Sequence, residues 1–332
     1  MQIDVIGGGS LGLLFGAKLA DAGGVVTIWT RSSEQAALLT EKGVTLRELG
    51  EGGERSVAVL GASALEAERS HSILPRRSER GTRWIIVAVK QTDVNEQLLS
   101  LLQKLATSRG RDGTAIVCLQ NGIGHLERIM ERLPSIPLYA VTVTEGAKRL
   151  DGHTVEHTGK GELWIGEWTA NGRKRDIFED KSLEILVSIL ESAGFATFLS
   201  NNWDNRMYNK LLINAVINPL TAIFDVENGQ LPLHPSREQF MRALHAETEQ
   251  VLIQAGMLPQ QDSWQTIIDV CRNTSRNVSS MLSDIRGRRA TEIDAINGGV
   301  VMLARKLGQR APLNEAVIAL VKTLHPKPNM EE

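Results

Sequence analysis

Lys210, Asn214 and Asn218 stand four residues apart in NKLLINAVINPLTAI (209–223), and nearly everything between them is apolar. Four residues turn a helix by roughly 400°, so such side chains drift only about 40° per step and form one stripe. An ammonium or amide in apolar surroundings costs on the order of several kcal/mol unless something pairs with it. A lysine whose pKa is lowered by desolvation and a neighbouring cation is suited to deliver a proton. Asparagines carry paired donors and acceptors suited to fixing a small polar substrate. The competing reading is that Lys210 reaches solvent along its stem while Asn214 and Asn218 cap or bridge helices.

A second chemical signal lies near the start of the chain, in Gly7-Gly8-Gly9-Ser10-Leu11-Gly12. The spacing Gly7-x-Gly9-x-x-Gly12 falls between an apolar run (3–6) and a helical pattern (11–22), the context a dinucleotide-binding turn requires. The first glycine permits the tight turn, the second admits a pyrophosphate to the backbone, and the third lets helix and strand pack. The helix N-terminus attracts the anion. The segment after the second strand decides the cofactor. An acidic residue there would bind a ribose 2′-hydroxyl, but the chain reads Ile28-Trp29-Thr30-Arg31-Ser32-Ser33. Arg31 would pair with a 2′-phosphate, and Thr30, Ser32 and Ser33 would donate to it, which favours NADPH/NADP over NAD. Glu34, three residues beyond Arg31, keeps the alternative open. Two further strands end in polar residues, WIIVAVK in Lys90 and IVCLQNG in Gln120-Asn121-Gly122, at the sheet edge where ligands of open α/β sheets bind. Taken singly, either is as readily a loop residue that caps a neighbouring helix.

The elements that must position these groups change character near residue 200. Before it, apolar strands (3–6, 25–29, 84–89, 114–119, 138–143, 196–199) alternate with helical patterns (11–22, 33–42, 94–106, 125–132, 183–192). That order predicts parallel βαβ units in a doubly wound sheet. Residues 43–62 read as an antiparallel excursion, and HTVEHTGKGELWIGEW (153–168) as a hairpin. The polar, basic stretch 68–83 reads as a solvated loop. After residue 200 come helical patterns at 203–217, 236–255, 262–283, 291–307 and 313–324, with Thr291 as an N-cap, Gly308 as a C-terminal stop and Pro312 in a first turn. Ser279 and Ser280 fall mid-helix in this reading, where serines usually bond back to the previous turn. Glu292 and Asp294 open the next helix, where acidic residues complement the dipole. The expected boundaries are 1–200 for a dinucleotide-binding domain and 201–332 for a helical domain that closes over the cofactor.

Composition excludes other classes. The 332 residues suffice for two domains, and the net charge of -2 gives no reason to expect nucleic acid or a membrane surface as a partner. Two distant cysteines, Cys118 and Cys271, argue against a disulfide framework or a zinc site, so no metal is expected. Without a basic n-region or a long apolar run, the expectation is a soluble, cytoplasmic protein, monomer or homodimer.

Taken together, GGGSLG, Lys90, QNG, NKLLINAVINPLTAI, NGQL and SSMLSDIRGRRATEIDAING resemble the ketopantoate reductase (2-dehydropantoate 2-reductase) family along essentially the whole chain. The resemblance implies an α/β Rossmann-type dinucleotide-binding domain followed by an all-α helical domain, an NADPH cofactor, and reduction of 2-dehydropantoate to (R)-pantoate on the route to pantothenate and coenzyme A. It implies Lys210 as proton donor, and Asn214, Asn218 and Asn228 as substrate contacts. Ser280 would meet the substrate carboxylate. Glu292 would touch cofactor, which reverses its bland reading as a dipole partner. Asn121 would serve cofactor and substrate, Lys90 and the backbone of Ala147 the cofactor, and Arg31 the 2′-phosphate. The rivals are a reductase of another branched 2-oxo acid and a non-catalytic NADP sensor. The stripe argues against the sensor, which needs no proton donor.

Overall fold

The structure, a computed structural model, describes residues 1–48, 50, 53–65, 82–107, 113–169 and 177–324, so positions 68–81 of the basic stretch lie outside the described residues. The chain forms two compact units, Met1–Gln120 with His125–Trp203, and Asn121–Gly124 with the chain from Asp204 onward.

The first unit is built on an eight-stranded sheet. Its strands are β1 (Gln2–Ile6), β2 (Val25–Thr30), β5 (Leu60–Ser63), β6 (Arg83–Val87), β7 (Thr114–Cys118), β8 (Leu138–Val143), β11 (Glu162–Glu167) and β12 (Ala196–Leu199). They lie in the order β12-β11-β8-β7-β6-β1-β2-β5. Every pair is parallel except β8 with β11. Every residue of β1, β6, β7 and β8 is buried, which is why these strands read as continuous apolar runs. Helices α1 (Ser10–Asp21), α2 (Ser33–Lys42), α3 (Glu96–Thr107), α4 (His125–Arg132) and α5 (Lys181–Ser192) connect the strands.

A smaller sheet, ordered β4-β3-β10-β9, comprises β3 (Val44–Arg47), β4 (Glu54–Val57), β9 (Gly146–Arg149) and β10 (Thr154–Gly159). The β3–β4 pair is the antiparallel excursion expected from 43–62. The expected hairpin across 153–168 is not formed. Instead β10 pairs antiparallel with β9 and parallel with β3, whereas β11 crosses to the large sheet and pairs with β8. Leu163 and Ile165 are fully buried there, so the apolar half of the segment goes to the larger core. Gly161 permits the crossing, since a Cβ would lie 2.4 Å from the carbonyl carbon of Thr144. A buried ionic cluster ties α1 to the small sheet: Lys18 Nζ reaches Glu48 at 3.2 Å, and His157 bridges Glu48 at 3.1 Å and Glu145 at 2.6 Å.

The second unit is helical: α6 (Trp203–Phe224), α7 (Pro235–Gln254), α8 (Ser263–Asn273), α9 (Ser280–Arg286), α10 (Ile293–Lys306) and α11 (Pro312–Thr323). Helix α6 continues through Pro219 past the expected stop at 217. The single helix expected over 262–283 is two, because Ser279 caps a new helix by accepting the Leu282 N–H. Ser279 and Ser280 therefore begin a helix rather than sit within one. Glu292, not Thr291, holds the N-cap position of α10, without a side-chain cap bond. Gly308 takes φ 70° after α10, and Pro312 opens α11, as their positions in sequence suggest.

One buried charge supports the large sheet. Asp4, on β1 and fully buried, accepts from Arg83 Nε at 2.6 Å and Trp29 Nε1 at 2.8 Å. Removing one partner of a buried pair leaves the other charge uncompensated. Asp4→Ala is expected to lower the stability of the protein by about 3–5 kcal/mol in urea titration.

Candidate functional site

In the first unit the glycine-rich turn has the geometry its spacing demands. Gly7 has φ 117°, and a Cβ on Gly12 would lie 1.8 Å from the Gly7 carbonyl oxygen. Only glycine at position 12 lets α1 start this close to β1. A Cβ on Gly9 would meet nothing within 4 Å, so that side of the turn is open. Gly9 is the N-cap of α1 and supplies no side-chain cap, which leaves the helix N-terminus to an anion. The turn is held from behind: Gln35 Nε2 donates to the Gly8 carbonyl at 2.9 Å, and Arg149 Nη1 to the same oxygen at 3.1 Å. Ser10 Oγ accepts the Arg149 N–H at 3.1 Å. Arg149 closes β9, so Ala147, half-buried two residues earlier and in register with His157, belongs to the strand that braces the turn.

Arg31, whose side chain is 81% exposed, is paired with Asp93 at 3.1 Å. Asp93 closes a short 3-10 turn, Gln91–Asp93, that begins after Lys90. Lys90 is half-buried at the start of this turn, and its carbonyl accepts the Asp93 N–H at 2.9 Å. The residues expected to help Arg31 have other engagements. Thr30 is buried and donates to the Ser32 carbonyl at 2.7 Å, Ser32 caps α2 through the Gln35 N–H, and Ser33 meets Ser63 at 3.3 Å.

In the second unit the structure brings Asn121, Lys210 and Glu292 into one electrostatic group. Burial pushes the Lys210 ammonium down from its ordinary value to about 8, and the Glu292 carboxylate opposes that shift. The charged neighbour is thus an anion rather than the cation expected from sequence; desolvation alone lowers the pKa. Asn121 Nδ2 donates to Glu292 Oε2 at 3.3 Å. The Asn121–Gly124 segment is docked on α10, where Ile123 N–H donates to the Ala295 carbonyl at 3.4 Å. Gly122 takes φ 80°, and a Cβ there would lie 2.4 Å from the Ala295 carbonyl oxygen. A Cβ on Gly299 would lie 2.7 Å from Ile123 Cγ1. Two glycines thereby place Asn121.

Asn214 is half-buried and Asn218 buried, one and two turns beyond Lys210 on α6. Asn228 is buried in a 3-10 turn, Asn228–Gln230, and donates through Nδ2 to Thr274 Oγ1 at 2.9 Å. Its Oδ1 is buried and finds no protein donor among the described residues. The turn is clamped by Asn228 N–H to the Asn277 carbonyl at 3.0 Å and Gly229 N–H to the Ser275 carbonyl at 3.1 Å. Ser280 is exposed as the first residue of α9, while Ser279 is buried and meets Thr221 Oγ1 at 2.7 Å, which fastens the start of α9 to α6. Sequence reasoning passed over Thr221, Asn297 and Asn314. For Asn297 the chain carries one signal, Pro219, a proline inside an apolar helix that takes the usual donor from the Ala215 carbonyl. Among the described residues no group of His, Cys, Asp and Glu side chains could hold a metal ion, and no helix is long and apolar enough to cross a membrane.

Two family descriptions match nearly the whole chain: "Ketopantoate reductase PanE/ApbA" over residues 3–170 and "Ketopantoate reductase PanE/ApbA C terminal" over residues 202–325. The chain belongs to the ketopantoate reductase family. The 2-dehydropantoate 2-reductase of Bacillus subtilis is 32% identical over 329 residues, 99% of each chain. That of Listeria innocua is 31% identical over 326 residues, covering 98% of this chain and 97% of its own. The crystal structure of the probable 2-dehydropantoate 2-reductase panE from Bacillus subtilis superposes with a TM-score of 0.76 at 31% identity, over 98% of this chain and 100% of that one. The Rossmann-type sheet followed by a helical part is the family's fold.

Because Glu292 raises the Lys210 pKa against desolvation, Glu292→Gln is expected to move the Lys210 midpoint below about 8. Mass spectrometry of Lys210 acylation across a pH series reads that midpoint without any turnover. An unchanged midpoint would show that Glu292 does not act on the lysine.

Proposed function

We propose that the protein reduces 2-dehydropantoate to (R)-pantoate with NADPH, a step toward pantothenate and coenzyme A. The observation that carries the chemistry is Lys210, an ammonium lowered to about 8 by burial and opposed by Glu292. A group titrating this close to neutrality can both hold a proton and release it. Whole-length similarity to proteins named 2-dehydropantoate 2-reductase supplies the substrate class.

Residues 1–200 bind the cofactor in this reading, and 201–332 supply the substrate groups. The open Gly9 side of the turn and the uncapped start of α1 fit a pyrophosphate, and Arg31 fits a 2′-phosphate. Gly7, Gly8, Gly9, Ser10, Leu11 and Gly12 form that cradle, with Lys90 and the Ala147 backbone as further cofactor contacts. NADPH, when bound, supplies the hydride to the 2-oxo carbon. Lys210 stabilises the negative charge that develops on the carbonyl oxygen and protonates it from Nζ. Asn214, Asn218 and Asn228 orient the substrate by hydrogen bonds, and Ser280 takes its carboxylate. The Glu292 charge raises the Lys210 pKa and its carboxylate holds Asn121, so it favours the charged proton donor while fixing the amide shared by cofactor and substrate.

The defining experiment is NADPH oxidation with 2-dehydropantoate beside 2-oxoisovalerate and beside NADH. Turnover confined to 2-dehydropantoate with NADPH is expected; equal turnover of both oxo acids would leave a general 2-oxo acid reductase, and none despite NADPH binding a sensor. Lys210→Ala is expected to lower kcat/KM by about 10²–10⁴-fold, roughly 3–5 kcal/mol of transition-state stabilisation. Reduction needs Lys210 protonated, so its rate falls as pH rises through about 8, while oxidation of pantoate rises over the same range. Near-normal turnover of Lys210→Ala would remove the lysine from the mechanism. Asp93 occupies the guanidinium that the 2′-phosphate would take, so Asp93→Asn should lower KM for NADPH by about two- to fivefold, the worth of an exposed ion pair, and leave NADH unaffected.

A further inference from the structure

Pro219 sits inside α6 and has no N–H, so the carbonyl of Ala215, four residues earlier, lacks its usual intrahelical donor. Asn297, on α10 and fully buried, fills that place: its Nδ2 donates to the Ala215 oxygen at 2.9 Å. The same amide donates to Asn314 Oδ1 at 2.9 Å. Asn314, also fully buried, passes the chain on through Nδ2 to Glu247 Oε1 and Thr248 Oγ1, each at 3.0 Å. Glu247 in turn accepts the N–H groups of Leu313 at 3.0 Å and Asn314 at 2.9 Å, at the start of α11. One continuous buried network thus locks α6, α10, α11 and α7 together. Along the chain, Ala215 lies five residues after Lys210 and Asn297 five residues after Glu292, so the bond between them joins the two segments that carry those groups.

We infer that Asn297 is a positioning residue, which fixes the register of α10 against α6 and so the placement of Glu292 beside Lys210. The inference rests on the reading of Lys210 as proton donor only for its catalytic consequence. The geometry leaves little room for another register. The donor at 297 meets the carbonyl that Pro219 leaves without its usual N–H, and an orphaned buried carbonyl is costly. Sliding α10 by one turn would strand the Ala215 carbonyl and Asn314 Oδ1 together. Asn297 touches neither the lysine nor the carboxylate in this arrangement; it acts through the helix that carries Glu292.

The test uses Asn297→Leu, which keeps the branched shape and removes both donors, alone and together with Pro219→Ala, which returns an intrahelical donor to Ala215. In the full-length protein, the Lys210 midpoint is read by pH-dependent acylation, and kcat and KM are measured beside it. In Asn297→Leu the midpoint is expected to fall by half a pH unit or more, about a threefold change in the neutral fraction, in the direction of Glu292→Gln. The alkaline limb of the reductase profile should move with it. Adding Pro219→Ala should restore the midpoint at least in part, because the carbonyl no longer needs a donor from α10. Should Asn297→Leu not fold, Asn297→Ala alone, which also removes both donors, gives the same reading. A variant that loses thermal stability but keeps the wild-type midpoint would overturn the inference and leave Asn297 a core amide. A shifted midpoint with an unaffected Lys210→Ala enzyme would instead sustain the positioning and refute the lysine's catalytic role.

Discussion

Pro219 takes from the Ala215 carbonyl the N–H that a helix would ordinarily offer it, and side chains from three other helices are arranged around the substitute donor. Asn297 meets it from α10, Asn314 meets Asn297 from α11, and Glu247 and Thr248 complete the chain from α7. Buried polar networks of this kind admit few alternatives, because each partner displaced leaves another polar group without water or protein to bond. Around that lock the apolar residues of α6, α10 and α11 form an ordinary core, with Leu220, Val300 and Val317 fully buried. The core supplies driving force, while the network selects the register. Lys210, desolvated and under the influence of the Glu292 charge, belongs to the same helical unit as this core.

The first unit follows the same logic in backbone rather than side chains. Its glycine turn is rigid because Gly12 passes close to the Gly7 carbonyl and because Gln35 and Arg149 hold the Gly8 carbonyl. Arg149 comes from β9, so the small sheet braces the turn that faces the open helix N-terminus. Arg31 is the contrasting case. It is exposed, its pairing with Asp93 is screened by water, and changing partners costs it little. A backbone turn held by fixed hydrogen bonds and a loosely held, exposed arginine thus stand side by side within one unit.

The sequence by itself determined the parts whose causes are local. Glycine spacing after a strand announces the turn at Gly7–Gly12, because no other residue tolerates that backbone and that approach. Buried parallel strands read as apolar runs, and the four-residue stripe of Lys210, Asn214 and Asn218 follows from helical periodicity alone. The family resemblance implied roles for Asn228, Ser280 and Glu292 that spacing could not supply.

Tertiary structure decided the choices between partners of similar local merit. Residues 153–168 alternate well enough for a hairpin, but the apolar half pairs with β8 and the polar half stays with β9 and β3, since strand pairing depends on distant edges. Ser279 is a cap and not a mid-helix serine because Thr221, far away in the chain, meets its hydroxyl. Asn121 joins the helical unit because Gly122 and Gly299 admit it to α10. Asp4 and Asn297 look like faults in apolar segments until Arg83 and the Ala215 carbonyl are seen opposite them. A buried polar residue announces that a partner must exist; only the fold determines which residue that is, because the free energy of pairing depends on what is brought within hydrogen-bond distance, not on what is adjacent in sequence.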